Sequence, residues 1–389
     1  MVLTVYKCKI MNVYICEMQN QIWDELDNWH DLNYDKRIAG RRVTQVECEP
    51  LLSGLDVSLF KVSDAGRSYE SRKIQRIVMG RGDARVLIWT QMHGNESTGT
   101  KAVFDLFKWL SDHGSAKSMR DEILEKCTIV VLPVLNPDGA QQYTRLNAQG
   151  IDLNRDVIDK NAPETALLLR ELNQTAPHYC FNLHDQRSIF SVGSPPKVAT
   201  MSFLAPSEDQ ARTVTDSRIR TMRVIAAMIE PLKSKIPGQI GRYTDEFYPT
   251  ATGDNFQRMG YSTILVESGH YPGDYKRKVS RKMTFLALVA GLHQIALGKE
   301  VDHRPYFDIP NNEKLYLDAI VKDVSVGGEK GDLGIFLKEE LDGEKLIFKP
   351  TLDKFEDLSG FAADRILKGG ELEFSTVGEA ENWVQIEFN

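Results

Sequence analysis

No long apolar run occurs anywhere in this sequence. Nowhere do ~18 consecutive apolar residues stand together, the length a membrane-spanning helix needs, so no segment reads as a span. Nor does the N-terminus read as a secretion leader: the apolar patch from Val2 to Val5 is broken by Lys7 and Lys9 before a leader's apolar stretch can form. Met11 makes residues 1–10 read as an unstructured extension with no role in the fold. Cysteine is scarce. The five present, Cys8, Cys16, Cys48, Cys127 and Cys180, are odd in number, and no two are spaced like a metal knuckle or a CxxC redox pair. A reducing compartment is the simpler reading, and the chain is expected to be cytoplasmic. There is no internal repeat and no low-complexity tract. Charge of neither sign is gathered in blocks: the net value is −7 with the signs interspersed, which argues against a nucleic acid or an anionic membrane as the main partner. Nothing specifies an oligomeric state.

What is there is an ordinary globular balance, 42% hydrophobic and 26% charged over 389 residues, enough for one large domain and a small one. From about Val57 to Gly298, short β-branched runs alternate with longer helical ones. Ser58 to Val62, Lys73 to Met79, Val86 to Gln91, Cys127 to Leu135, Tyr179 to Leu183 and Ser262 to Val266 read as strands, the last four as interior strands covered on both faces. Val103, Leu106, Phe107 and Leu110 share one helical face, with Gly114 as the stop; Ala166 to Leu172, Arg218 to Ile229 and Val279 to Leu297 are further helices. The expected fold class is therefore α/β, a three-layer α/β/α sandwich around a mixed sheet. After Gly298 the texture changes. His303 to Pro310 reads as a linker, and Lys314 to Val326, Gly334 to Glu339 and Lys345 to Lys349 as short strands, with a hairpin at Leu341-Asp342-Gly343-Glu344. The expected division is a catalytic domain over 1–300 and a small C-terminal β-rich accessory domain over 301–389, in which nothing looks catalytic.

Chemistry is concentrated at four places. His93-Gly94-Asn95-Glu96 follows a strand, so an imidazole and a carboxylate three residues apart can turn towards one cation. His184, in Phe181-Asn182-Leu183-His184-Asp185, stands at the C-terminal end of a buried strand, the edge where open α/β sheets bind ligands. Joined to the first pair, it supplies a third ligand and leaves a position open for water. Glu267 ends the apolar run Thr263-Ile264-Leu265-Val266, where burial should raise its pKa towards that of a general base. Arg145 to Arg155 is a turn-rich segment with two arginines among asparagines, suited to an anion because guanidinium forks match carboxylates. Each has a plainer reading when taken singly: a chance loop pair, a hydrogen-bonded histidine, a salt-bridged strand-end carboxylate, a solvated charged loop.

Taken together and in order, these segments resemble the zinc carboxypeptidases related to carboxypeptidase A, from about Gly66 to Gly298. The order is HxxE, then Asn136-Pro137-Asp138-Gly139, then Arg with Gly-x-Asp-x-Asn-Arg, a lone His and a late Glu. The resemblance implies one Zn2+ per chain held by His93, Glu96 and His184, with Asp152 orienting His93. It implies Arg145 at the scissile carbonyl, Asn154 and Arg155 on the substrate's terminal carboxylate, and Glu267 as general base. Tyr248, in preference to Tyr243, is the candidate for the family's mobile tyrosine. The substrate expected is a peptide or N-acyl amino acid with a free carboxylate.

The chain departs from the family after His184, where relatives carry Ser-Tyr and this sequence has Asp185-Gln186-Arg187. Arg187 reads as a surface salt-bridge residue, or else as a reader of a second substrate carboxylate. His270, three residues after Glu267, reads as a pocket-wall group and not a ligand, and Asp254 and Arg258 lie where a specificity residue belongs. The rival functions are a deacylase of the aspartoacylase or succinylglutamate desuccinylase type, a murein-peptide amidase, and a binding module that keeps the fold without the activity.

Overall fold

A computed structural model describes residues 21–388. Cys8, Cys16, Met11 and the extension expected over 1–10 lie outside the described residues. The larger part is built on an eight-stranded mixed sheet of strands β1 (Phe60–Arg67), β2 (Lys73–Gly80), β3 (Ala84–Thr90), β4 (Cys127–Leu132), β5 (Tyr179–Asp185), β8 (Met201–Leu204), β9 (Ile240–Arg242) and β10 (Ser262–Ser268). Strands β6 (Ser191–Val192) and β7 (Lys197–Val198) form a separate small pair. The order is β1-β2-β4-β3-β5-β10-β8-β9, with β4, β3, β5 and β10 mutually parallel and β1, β2 and β8 antiparallel to their inner neighbours.

Helices cover both faces: α1 (described over 21–33), α2 (Gln45–Ser53), α3 (Thr98–Leu110), α4 (Lys117–Lys126), α5 (Pro137–Gln142), α6 (Pro163–Thr175), α7 (Asp216–Ile229), α8 (Thr252–Arg258) and α9 (Lys278–Leu297). Successive residues of β3 show why the parallel strands are apolar throughout. Val86 and Ile88 enter the core beneath α3, α7 and α9, while Leu87 and Trp89 enter the opposite core with Leu167, Leu168 and Leu172 of α6 and Phe256 of α8. This is the α/β/α sandwich with a mixed sheet that the strand–helix alternation predicts.

Several boundaries differ from the sequence reading. The strand expected to reach Leu135 stops at Leu132 because Pro133 has no N–H for the ladder, and its carbonyl instead accepts the Thr90 hydroxyl. Conversely, β5 runs on to Asp185 and β10 to Ser268, because each pairs the other along its whole length. The helix expected to stop at Gly114 ends at Leu110. The expected linker is not one: its chain turns through Arg304–Tyr306, and Tyr306 and Ile309 are buried in the main core, where the Tyr306 hydroxyl accepts the Ala205 N–H.

The C-terminal region is β-rich, as its turn-punctuated sequence predicts. Strands β11 (Tyr316–Val326), β12 (Glu329–Asp342), β13 (Lys345–Glu356) and β14 (Ala362–Lys368) lie in the order β13-β12-β11-β14, and β15 (Glu373–Phe374) also pairs β11. The hairpin expected at Asp342-Gly343 is present. Asp342 pairs Lys345 across a two-residue loop, with Gly343 at φ 59° in the first position, where a type II′ turn demands glycine. Helix α10 (Val377–Glu387), which the sequence reading missed, packs Ala380 and Val384 on Val321, Leu333 and Ile335.

Candidate metal centre and catalytic site

Strand β3 is followed by β4 on one side and flanked by β5 on the other. The chain therefore leaves β3 across one face through α3 and α4, and leaves β4 across the other through α5 and α6. A crevice opens where these connections diverge, at the C-terminal ends of β3 and β5. His93 lies just beyond β3 and His184 near the end of β5, one on each side of that crevice.

Local sequence shapes the β3 exit. Gln91 breaks the strand at φ 51° and is completely buried, its side-chain amide donating to the carbonyls of Val43 and Gly94 and its oxygen accepting the Thr100 hydroxyl. The Asn136-Pro137-Asp138-Gly139 turn then clamps the loop. Asn136 caps α5 through the Gly139 N–H, and its side-chain amide donates to the Met92 carbonyl at 3.2 Å. Asp138 anchors the turn from below, accepting from the Ser68 hydroxyl, the Glu70 N–H and Arg72. Gly94 lies so close to the backbone of Gly139 and Ala140 that a β-carbon would overlap it.

Three ligand groups converge here. The Nδ1 atoms of His93 and His184 are 3.1 Å apart, and each lies 2.8 Å from a different oxygen of Glu96. All three residues are buried. A tetrahedral zinc with bonds of ~2.0–2.1 Å separates its ligand atoms by roughly 3.3 Å, so this donor set fits zinc in chemistry and in spacing. Asp152 lies 3.0 Å from His93 Nε2, which assigns the proton to that nitrogen and leaves Nδ1 free to ligate. Burial opposes the charge on Asp152, yet His93 and Arg145 hold its carboxyl below the usual range. Burial likewise acts against the ionised Glu96, and the two imidazoles overcome it, keeping that carboxyl well below its ordinary value. The Asp185 N–H also donates to Glu96, at 3.1 Å.

Glu267 is half-buried within β10, and the parallel register pairs it with His184. Because alternate strand residues share a face, that register turns both side chains to the same side. Burial first, then the nearby Glu96 and Asp185 carboxylates, push Glu267 well above the carboxylate range. Arg145 reaches Glu96 at 3.2 Å and Asp152 at 3.1 Å. Asn154 accepts the Thr252 N–H, which fixes it at the start of α8, and the Arg155 guanidinium lies 5.7 Å over the Tyr248 ring. Tyr243 also lines the site, packed on Phe190 at 5.3 Å, where burial first and then the Glu267 and Glu96 carboxylates push its hydroxyl up. All of these except Asp152 and Thr252 line one cavity of about 1140 Å³.

Other expectations need correction. Arg187 makes no ion pair among the described residues and lines the cavity, so the surface salt-bridge reading fails. Arg258 bonds Asn255 and does not line the cavity, whereas Asp254 does. His270 stays out of the ligand cluster, as expected, but its Nε2 lies 2.8 Å from Asp364 of β14. The C-terminal region, in which nothing in the sequence looks catalytic, lines the same cavity through Asp318, Phe336, Glu339 and Phe348. Glu339 accepts from Arg41 at 2.7 Å and from the Tyr143 hydroxyl, and Arg41 in turn reaches Asp185 at 3.1 Å. Arg41 and Glu339 are nearly 300 residues apart and belong to no motif, so no sequence signal joins them.

Residues 52–186 match the family model described as zinc carboxypeptidase. Carboxypeptidase 2 of Trichophyton tonsurans is 31% identical over 103 residues, covering 26% of this chain and 19% of that protein. The chain thus matches about a fifth of that curated relative's length. A metallo-carboxypeptidase from Burkholderia cenocepacia shares the fold at TM-score 0.53 and 18% identity, over 65% of this chain and 69% of that one. A metallo-carboxypeptidase from Pseudomonas aeruginosa, solved in complex with (2-guanidinoethylmercapto)succinic acid, shares it at TM-score 0.50 and 16% identity, over 66% and 70%.

Proposed function

We propose that this chain, a member of the zinc carboxypeptidase family through residues 52–186, hydrolyses the C-terminal peptide bond of substrates that end in a free carboxylate. The observation that carries the reading is the convergence of His93, Glu96 and His184, with Glu267 paired to His184 on the adjacent strand and Arg145 and Arg155 in the same cavity. One zinc per chain, bound at that triad, would supply Lewis acidity for the scissile carbonyl and lower the pKa of a water. Glu267, with its raised pKa, takes the proton from the attacking water and hands it to the leaving amine. Arg145 donates to the carbonyl oxygen as negative charge builds there. Asn154 and Arg155 hold the terminal carboxylate, and Tyr248, beside Arg155, closes that end. Asp152 keeps His93 in the ligating tautomer. The dicarboxylic ligand of the Pseudomonas aeruginosa structure supports a free carboxylate as the recognised group.

The test is a mass-spectrometric digest by zinc-loaded protein of free-acid peptides, their C-terminal amides, murein tripeptides and N-acyl amino acids. Release of single residues from free acids, with amides untouched, supports the reading; cleavage of N-acyl amino acids alone replaces it with a deacylase. Glu267→Gln is expected to retain zinc by elemental analysis and lose at least ~100-fold in kcat, the scale of general base catalysis. Unchanged turnover would remove Glu267 from the mechanism.

A further inference from the structure

Hydrogen bonding is incomplete at one place beneath the metal ligands. Asn182 of β5 is fully buried, yet neither its Oδ1 nor its Nδ2 has a partner among the described residues. The same holds for Nε1 of the buried Trp89 on β3 and for Nε2 of His184. Buried polar side chains in folded proteins are, in the large majority, paired with protein or with ordered water. These four atoms belong to neighbouring positions. Asn182 pairs Trp89 across the parallel register, and His184 stands two residues further along β5 on the same face.

The other neighbours of Asn182 are apolar. Opposite it on β10 is Leu265, which lines the cavity, and one step below on the same face are Leu87 and Cys180. Phe256 of α8 packs on Trp89, with ring centroids 5.4 Å apart. His184 supplies the polar group above. Its Nδ1 faces His93 and Glu96, which lie beyond the end of β3. The two nitrogens of an imidazole point widely apart, so Nε2 turns back along the sheet face towards Asn182. Two positions along a strand lie roughly 6.6 Å apart and neighbouring strands about 4.8 Å. Such spacings exceed a direct hydrogen bond and suit two bonds through one water.

We propose that Asn182 is a positioning residue for the ligand His184, acting through one buried water. The Nε2–H of His184 donates to the water, the water donates to Asn182 Oδ1, and the Trp89 indole N–H fills the water's second lone pair. That gives the water about three hydrogen bonds, the usual number at a buried site. The proton is thereby kept on Nε2 and Nδ1 is left free for the metal, the part that Asp152 plays for His93. The inference rests on the zinc reading of the triad and supplies the partner of its second imidazole.

The test uses full-length protein: a high-resolution crystal structure of the zinc-loaded parent, and zinc affinity by chelator competition in the parent and two variants. The crystal structure should show a water within hydrogen-bond distance of both His184 Nε2 and the Asn182 amide. Asn182→Leu, close to asparagine in size, suits the apolar surroundings and should keep the urea midpoint while weakening zinc roughly 10–100-fold. Asn182→Ser keeps a hydroxyl and leaves room for water, so its zinc affinity should stay within about threefold of the parent. The visible spectrum of the cobalt-substituted protein should change in the leucine variant and not in the serine one. No water at that position overturns the inference, whether or not the variants fold. So does a zinc affinity in Asn182→Leu equal to that of the parent or of Asn182→Ser, and in these cases the carboxypeptidase reading stands. A parent that binds no zinc at the triad overturns both.

Discussion

Asp254 is a carboxyl placed where it does not easily ionise. It lines the cavity, accepts the Tyr248 N–H at 3.0 Å, and is pushed by burial up to about 6, above the ~3.9 of an unfolded chain. A carboxyl raised by folding is at ease in its neutral form, so its contribution to stability is whole below about pH 4 and declines as the pH rises towards 6. Asp254→Asn keeps the acceptor and has no proton to lose. The variant is expected to be more stable than the parent at pH 7 by on the order of 2 kcal/mol, with the gap closing by about pH 4, as read from urea midpoints across that range. A gap independent of pH would contradict the assignment. Asp152 acts at the same scale. Asp152→Ala frees the His93 tautomer and should weaken zinc binding by roughly 10–100-fold in a chelator competition, the usual effect of losing a ligand's carboxylate partner.

Among the elements, the loop after β3 depends on the turn that opens α5. His93 and Glu96 reach one point because Gly94 touches the backbone at Gly139 and Asn136 holds the Met92 carbonyl. Gly94→Ala places a β-carbon against backbone that cannot swing aside. The expected loss is roughly 3 kcal/mol or more in urea unfolding, together with substoichiometric zinc after dialysis. Full zinc occupancy and an unchanged midpoint would show that the loop relaxes, and would remove the clamp as the reason for glycine at this position.

At the scale of the whole molecule, the C-terminal region is joined to the metal site by charge. Arg41 is buried between Asp185, which follows a ligand and donates its N–H to Glu96, and Glu339 of β12. Glu339→Ala leaves a buried guanidinium short of one carboxylate, a change that costs roughly 3 kcal/mol. Glu339→Gln, which retains an acceptor, should show an intermediate loss. Urea unfolding tests the order parent, Gln, Ala; equal stability of all three would mean that Arg41 finds another partner.

How legible this was depends on the range of each interaction. Local pattern carried much: apolar runs for β3, β4, β5 and β10, a Gly-turn for the β12–β13 hairpin, and the positions of His93, Glu96, His184 and Glu267 at strand exits. These follow from sequence alone because pairing and burial imprint a period on neighbouring residues, and because metal-ligand chemistry admits few residue types. Helices α1, α2, α4, α5, α8 and α10 went unseen, since they are short or have apolar faces completed by distant elements, and leave little period of their own. The run from His303 to Pro310 read as a linker because its burial of Tyr306 is decided by α7 and β8. Tertiary structure alone decided that Arg41, Asp185, Tyr143 and Glu339 form one network, and that the C-terminal sheet lines the cavity of the metal site. Those contacts join residues separated by up to 298 positions. Nothing in a local window constrains such pairs; they are set by how two sheets, each satisfied within itself, come to rest against each other.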